Sequence, residues 1–117
     1  MSIEALEQLS RERIISLTTY RRDGRGVATP VGFVRESEHL LIWTAVNTGK
    51  VKRIRNNPQV TVATGTARGE VTGPAWTATA IILPPDEVAR VYPMLADKYE
   101  VMRTQRGEGV ILQVTLK

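Results

Sequence analysis

Apolar and polar positions alternate with a period of two along most of this chain, which predicts a protein built mainly from β-strands. The predicted strands cover residues 14–20, 27–35, 39–46, 59–67, 71–83 and 110–116. The fifth of them is expected to be broken at Gly73 and Pro74, since proline cannot donate to a sheet ladder. Short turn sequences separate most of these segments, so most neighbouring strands are expected to be antiparallel.

Three segments show helical spacing instead, beginning near residue 3, near residue 50 and after the prolines at 84 and 85. The second helix should end near residue 57, because Pro58 lacks a backbone donor and disfavours helical angles in the residue before it. The third contains Pro93, which should kink or divide it. The polar stretch 100–107 is expected to be a mobile loop.

Six strands with short helices between some of them predict a mainly β fold, a small closed or partly closed barrel. A length of 117 residues fits a single domain over residues 1–117. The second strand has one bare face, which carries Ala28, Pro30 and Gly32. At an edge or a bulge, this face would leave backbone open to a flat ligand.

The composition narrows the chemistry that the chain can perform. Cysteine is absent, which excludes disulfides, thiolate zinc sites and cysteine nucleophiles. No apolar run is long enough to span a membrane and no signal-peptide pattern begins the chain, so we expect no membrane partner and a cytoplasmic protein. A sequence pI near 9.9 suits an anionic partner without identifying it.

The positive charge is concentrated in one window, because no Asp or Glu occurs from His39 through Gly69. Its cations are Lys50, Lys52, Arg53, Arg55 and Arg68. Cations in the first turn of a helix lie unfavourably against its dipole, so a bound anion such as phosphate would complete the segment. The alternative is a solvated basic helix whose lysines only keep the protein soluble.

Few residues could perform catalysis by themselves. His39 is the only histidine and lies in a polar turn, so a zinc site or a Ser-His triad is not expected, nor any other metal site. No catalytic residue is identified, and any difficult chemistry must belong to a cofactor. Trp43 and Trp76 could stack on a planar ring, although a tryptophan is more often a core or interface aromatic.

Four stretches of the sequence resemble the flavin and deazaflavin split-barrel superfamily related to pyridoxamine 5′-phosphate oxidase. They are Leu17-Thr18-Thr19, Val27-Ala28-Thr29-Pro30-Val31-Gly32-Phe33, Trp43-Thr44 and the run from Thr48 to Pro58. Together with the run from Arg68 to Pro74, they are most similar to the actinobacterial subgroup that uses the deazaflavin coenzyme F420. The resemblance implies a six-stranded antiparallel split β-barrel of the type that binds flavin mononucleotide (FMN).

The resemblance also implies where a cofactor would bind. Its phosphate would be held by Thr44, Thr48 and Lys50, and its ring would lie against Thr29, Pro30 and Val31. The remaining implied cofactor-binding residues are Ala45, Gly49, Arg53 and Trp76, the last as a contact from a neighbouring subunit. The flavin oxidases carry an arginine at the position of Gly49, which disfavours FMN, whereas the basic residues after Lys50 suit the longer anionic tail of F420.

The expected function is therefore an F420-dependent oxidoreductase that moves hydride between the cofactor and an unsaturated organic substrate. FMN is the alternative cofactor, and a carrier protein without turnover is the alternative function. The resemblance implies a homodimer with the cofactor at the subunit interface. Nucleic acid is not the expected partner, because two Trp, three Tyr and one Phe are scattered singly along the chain.

Overall fold

One curled antiparallel sheet forms the body of this protein, in a computed structural model that describes residues 3–104 and 108–117. Its strands are β1 (Ile15–Tyr20), β2 (Gly26–Val31), β3 (Val34–Glu36), β4 (His39–Ala45), β5 (Gln59–Gly65), β6 (Val71–Ile82) and β7 (Gly109–Leu116). The helices are α1 (Ile3–Ser10), α2 (Gly49–Asn56), α3 (Glu87–Lys98) and a 3₁₀-helix (Glu100–Thr104). This architecture confirms the predicted mainly β, split-barrel fold.

The strand order β2-β1-β5-β6-β7-β4-β3 shows how the sheet becomes a split barrel. β2 and β3 lie at opposite edges of the sheet, yet only Gly32 and Phe33 connect them. A connection of that length spans at most about 11 Å, so the two edges must lie side by side. The sheet holds seven strands rather than the predicted six because the predicted second strand divides at these two residues.

The predicted interruption of the fifth strand at Gly73 and Pro74 is wrong, since β6 continues through both residues. They lie instead where the β5–β6 register shifts, between the pairs Ala63–Ala75 and Gly65–Val71. Between these two pairs, three residues of β6 (72–74) lie opposite one residue of β5 (Thr64), which is a β-bulge. A bulge accommodates proline because its extra residues have no ladder partner to bond.

The third helix also differs from its prediction in detail. It begins at Glu87, after a turn in which the Glu87 N–H donates to the Pro84 carbonyl at 3.0 Å. Pro93 lies inside α3 and does not divide it. The first part of the predicted loop over 100–107 is the 3₁₀-helix, and residues 105–107 lie outside the described residues.

Two apolar clusters lie on opposite sides of the sheet. The barrel interior is filled from the sheet, from α1 and from α2, with Leu17, Phe33 and Ile42 fully buried there. The second cluster lies under α3, where Leu95 packs with Leu41. Within the described part of the chain, no helix is long and apolar enough to cross a membrane.

Candidate functional site

The basic segment forms α2, which runs from Gly49 to Asn56 and ends before Pro58 as predicted. Val51 and Ile54 are buried, which anchors one face of the helix in the protein and turns its cations away from the interior. α2 packs against β1 and β6. That turn has no side-chain cap, because the Thr48 hydroxyl bonds elsewhere.

The two predicted phosphate-binding threonines are neighbours in the structure. The Thr48 hydroxyl donates to the carbonyl of Ala45 at 3.0 Å, and its oxygen lies 3.2 Å from Oγ1 of the buried Thr44. Since each hydroxyl has one proton, Thr44 donates to Thr48 and Thr48 donates to Ala45. Both protons are engaged, so an anion here would be bound by rotating the Thr48 hydroxyl away from Ala45.

Lys50 is a partly buried cation, and no carboxylate within residues 3–104 and 108–117 forms an ion pair with it. Burial, and after it the charge of the nearby Arg53, lower the pKa of Lys50 below its usual value. Both causes act against the charged form, which is the situation that a bound anion would reverse. The site thus has the electrostatics of an anion site.

Arg53 folds back over the start of its own helix. A Cβ on residue 49 would lie 2.5 Å from Nη1 of Arg53, so the guanidinium occupies the space next to Gly49 that a side chain would take. Its Nε also donates to Oγ1 of the fully buried Thr19 at 2.6 Å. Arg53, one helical turn after Gly49, therefore places a guanidinium beside position 49, where the flavin oxidases carry their own arginine.

A groove of about 500 Å³ continues from this point between α2 and the β1–β2 turn. It is lined by Tyr20, Arg21, Arg22, Asp23, Arg25, Gly49, Lys52, Arg53 and Asn56. Five of these nine residues are cations, and the only carboxylate, Asp23, is already paired with Arg25 at 2.9 Å. The groove is therefore strongly cationic and suits an extended anion.

Sequence reasoning missed the three arginines of the β1–β2 turn and the hydroxyl of Thr19. A turn between the first two strands was predicted, and Gly24 has a positive φ of 90° in it. Its charge could be read from the sequence, but its position opposite α2 depends on how β1 packs against that helix.

The second-strand segment is only partly as open as predicted. β2 is an edge strand, and Ala28 and Pro30 are exposed on it. The expectation of open backbone is wrong for Gly32, where a Cβ would lie 2.9 Å from the ring of Tyr99, so that aromatic ring already covers it. The side chain of Val31 belongs to the barrel core.

Thr29 carries one of the unexplained polar atoms of the molecule. Its Oγ1 is buried and has no hydrogen-bond partner among the described residues. Buried hydroxyls almost always have a partner, so this one could accept a hydrogen bond from a bound water or polar group. Leu17 lies opposite Thr29 and Val31 follows it two residues later, and both belong to the barrel core, so the hydroxyl lies on the barrel side of β2 and not on the face of Ala28 and Pro30.

The aromatic candidates take separate places. Trp43 lies in the cluster under α3, edge-on to Tyr92 with ring centroids 5.8 Å apart. Trp76 is partly buried against the barrel core, on a strand that α2 contacts. His39 forms a 2.8 Å hydrogen bond with Thr115, and no group of metal-binding side chains occurs among the residues described.

The structure thus brings most of the predicted site together around α2. The connection from β4 joins Thr44, Ala45 and Thr48 to the helix start, and Arg53 connects that start to β1. β1 pairs with β5 along one edge and along its other edge with β2, the strand that carries Thr29.

Comparison with known proteins gives one family. The family model described as pyridoxamine 5′-phosphate oxidase matches residues 1–106. No curated protein matches the chain.

Several solved structures share the fold. An F420 reductase is 21% identical, with a TM-score of 0.68, and the alignment covers 99% of this chain and 96% of that one. The heme storage protein HutZ from Vibrio cholerae is 16% identical, with a TM-score of 0.74 and coverage of 98% and 89%. An FAD-binding protein from Mesorhizobium loti is 16% identical, with a TM-score of 0.71 and coverage of 100% and 90%.

Proposed function

Because this chain belongs to the pyridoxamine 5′-phosphate oxidase family, we propose that it binds coenzyme F420 and works as an oxidoreductase on an unsaturated organic substrate. The observation that carries the proposal is the positive charge of α2, which forms no ion pair with a carboxylate of the described residues and extends into the cationic groove. One of the solved structures with this fold is an F420 reductase. We also propose a cytoplasmic location.

The residues present fit such a cofactor at both of its ends. Lys50 and the Thr48 hydroxyl, once rotated, would hold a phosphate group at the start of α2. Beyond it, Arg22 and Lys52 line the groove that would take the rest of the anionic tail. The exposed Pro30 and the backbone of Thr29 and Val31, on the edge strand β2, would lie beside the ring system.

The cofactor would supply hydride transfer, and the protein would supply binding and orientation. Around α2 the described residues present cations and hydroxyls, with Asp23 as the one carboxylate of the groove and already paired. Proton transfer by a side chain is therefore not assigned to any residue of this site. The same observation supports the alternative of a binding protein without turnover.

FMN is the second candidate cofactor, and one contact favours it. The guanidinium of Arg53 lies beside Gly49, where the flavin oxidases carry an arginine, and so restores a cation near a bound phosphate. FMN has no anionic group beyond its phosphate, so the arginines of the β1–β2 turn, at the far side of the groove from α2, would have no anionic partner. Only F420 binding should therefore depend on these arginines.

We also propose that a second copy of the chain completes the molecule. Ile81 and Val71 on β6 are 47% and 54% exposed, which is high for large apolar residues of a strand. A homodimer that covers this side of the sheet would remove them from water.

The test is a pair of titrations, one with F420 and one with FMN, on the wild type, Arg22→Glu and Arg11→Glu. Arg11 is an exposed arginine that does not line the groove, so its reversal is a matched control for net charge. We expect Arg22→Glu to weaken F420 binding about tenfold or more and to leave FMN binding nearly unchanged. Equal effects of both variants on F420 would contradict the groove assignment, and tighter binding of FMN would reverse the choice of cofactor.

Turnover needs its own measurement. Reduced F420 is mixed with the protein and a panel of unsaturated substrates, and the absorbance of the oxidised cofactor is followed. Binding without any cofactor oxidation across the panel would support the carrier function instead.

A further inference from the structure

The break between β2 and β3 takes the backbone of Phe33 out of the sheet, and two side chains from the end of α3 restore its hydrogen bonds. The Phe33 N–H donates to the hydroxyl oxygen of Tyr99 at 3.0 Å. The Phe33 carbonyl accepts from Nζ of Lys98 at 2.7 Å. Both groups are buried or partly buried, so losing these partners would leave polar atoms unsatisfied.

The Tyr99 hydroxyl connects a third segment. It lies 2.6 Å from the Arg13 carbonyl and 3.1 Å from the Phe33 carbonyl, and it has one proton to donate. The Tyr99 hydroxyl donates to the Arg13 carbonyl, which is the nearer of the two, because the Phe33 carbonyl already accepts from Lys98. One oxygen atom therefore ties the chain before β1, the β2–β3 break and the end of α3. We call the contacts of Arg13, Phe33, Lys98 and Tyr99 the Tyr99 clasp.

Packing holds the clasp as firmly as its hydrogen bonds do. The ring of Tyr99, 5% exposed, covers Gly32 so closely that a Cβ there would lie 2.9 Å from it. Nζ of Lys98 lies 3.7 Å from the centre of the Phe33 ring, and the guanidinium carbon of Arg13 lies 5.0 Å from that of Tyr99. Both are cation–π distances. Burial raises the pKa of Tyr99, which keeps its hydroxyl protonated and able to donate.

The clasp lies directly after the segment that we assign to the cofactor ring. In the sheet of the described residues, β2 is an edge strand that pairs with β1 alone, and Pro30 has no N–H. The placement of Thr29, Pro30 and Val31 therefore depends on one ladder and on the anchor that follows it. The geometry points to Tyr99 as a positioning residue, whose hydroxyl sets where this segment meets the cofactor. This inference rests on the proposed function.

The experiment compares Tyr99→Phe with Tyr92→Phe. Tyr92 is on the same helix, and its hydroxyl also donates to a backbone carbonyl, that of Met102, so the control makes the same chemical change outside the clasp. Three quantities are measured at a temperature well below both melting points: the dissociation constants for F420 and for FMN, the absorbance band of the bound cofactor, and amide hydrogen exchange over residues 31–34.

We expect Tyr99→Phe to weaken binding of the cofactor about tenfold, to shift its absorbance band and to speed exchange at Phe33. Tyr92→Phe should lower the melting temperature but leave affinity and band within error of the wild type. A role limited to stability would move only the melting temperature in both variants.

The outcomes separate the two proposals. If the wild type binds neither F420 nor FMN, the proposed function fails, and this inference with it. If the wild type binds and Tyr99→Phe binds within twofold of it with an unchanged band, this inference alone is overturned. Should Tyr99→Phe not fold, Lys98→Met removes the donor to the Phe33 carbonyl and the cation over the Phe33 ring while keeping the Tyr99 hydroxyl, and we expect about threefold weaker binding. An unchanged dissociation constant in that variant would equally overturn the inference.

Discussion

Replacing Lys50 by methionine tests the anion site most directly, because stability and affinity should move in opposite directions. Methionine keeps an unbranched apolar stem and removes only the charged end. In the free protein that charge is partly buried and repelled by Arg53, and both effects lower its pKa. Removing it should leave the free energy of unfolding unchanged or slightly higher.

The effect on binding follows from the number of partners that the anion would have. The Thr48 hydroxyl must first leave the Ala45 carbonyl, whereas Lys50 is a charged donor in the first turn of α2 with no ion pair to a described carboxylate. A hydrogen bond to a charged group contributes about 1.5–3 kcal/mol. The dissociation constant should therefore rise about tenfold to about a hundredfold.

The assay is a fluorescence titration with F420 at low and at moderate salt, with thermal melts of the same samples. Arg55→Met is the control, since Arg55 is an exposed cation on the same helix that does not line the groove. Its smaller effect should diminish further as salt rises, because exposed charges are screened. If Lys50→Met binds within about twofold of the wild type, or loses stability as well as affinity, the reasoning is refuted and the helix is a solvated basic surface.

Three further predictions concern the same surface and its neighbour. Gly49→Ala should displace the Arg53 guanidinium and its bond to Thr19, weakening F420 binding about fivefold while better helix propensity offsets the lost bond in thermal melts. Unchanged affinity would show that the guanidinium does not contact the cofactor. A bound anion should raise the lowered pKa of Lys50, so above the pKa of Lys50 in the free protein, binding should be accompanied by uptake of a proton, and affinity for the anion should fall by at most about tenfold per pH unit. Calorimetry in two buffers measures the proton uptake, and a pH dependence that persists in Lys50→Met would contradict its assignment to Lys50. Ile81→Asp should convert a dimer to a monomer in light scattering, and a monomeric wild type at micromolar concentration would refute the dimer itself.

Local patterns in the sequence were sufficient for most of the secondary structure. Pro58 ends α2 where the sequence predicts, since a missing donor acts on its immediate neighbours whatever the fold. The same local reasoning was wrong at Pro74 and did not foresee an undivided helix at Pro93. There the tertiary structure supplies a bulge for one proline and a continuous helix around the other.

The division at Gly32 and Phe33 could not be read from alternation, because the residues on both sides of it keep the period of a strand. Only the closure of the sheet decides it: β2 and β3 lie at opposite edges, and the short connection between them must turn where those edges meet. The residue that packs on Gly32, Tyr99, is likewise far from it in the sequence, and no spacing pattern predicts that contact.

The candidate site divides in the same way. The sequence by itself determined that an acid-free basic helix follows a threonine-rich strand end, because charge and hydroxyl content are properties of composition. Only the tertiary structure decided that Arg53 folds over Gly49 and that the arginines of the β1–β2 turn lie across a groove from Lys52. The second relation joins residues about thirty positions apart, as does the bond from Arg53 to Thr19, and the packing of α2 against β1 creates both.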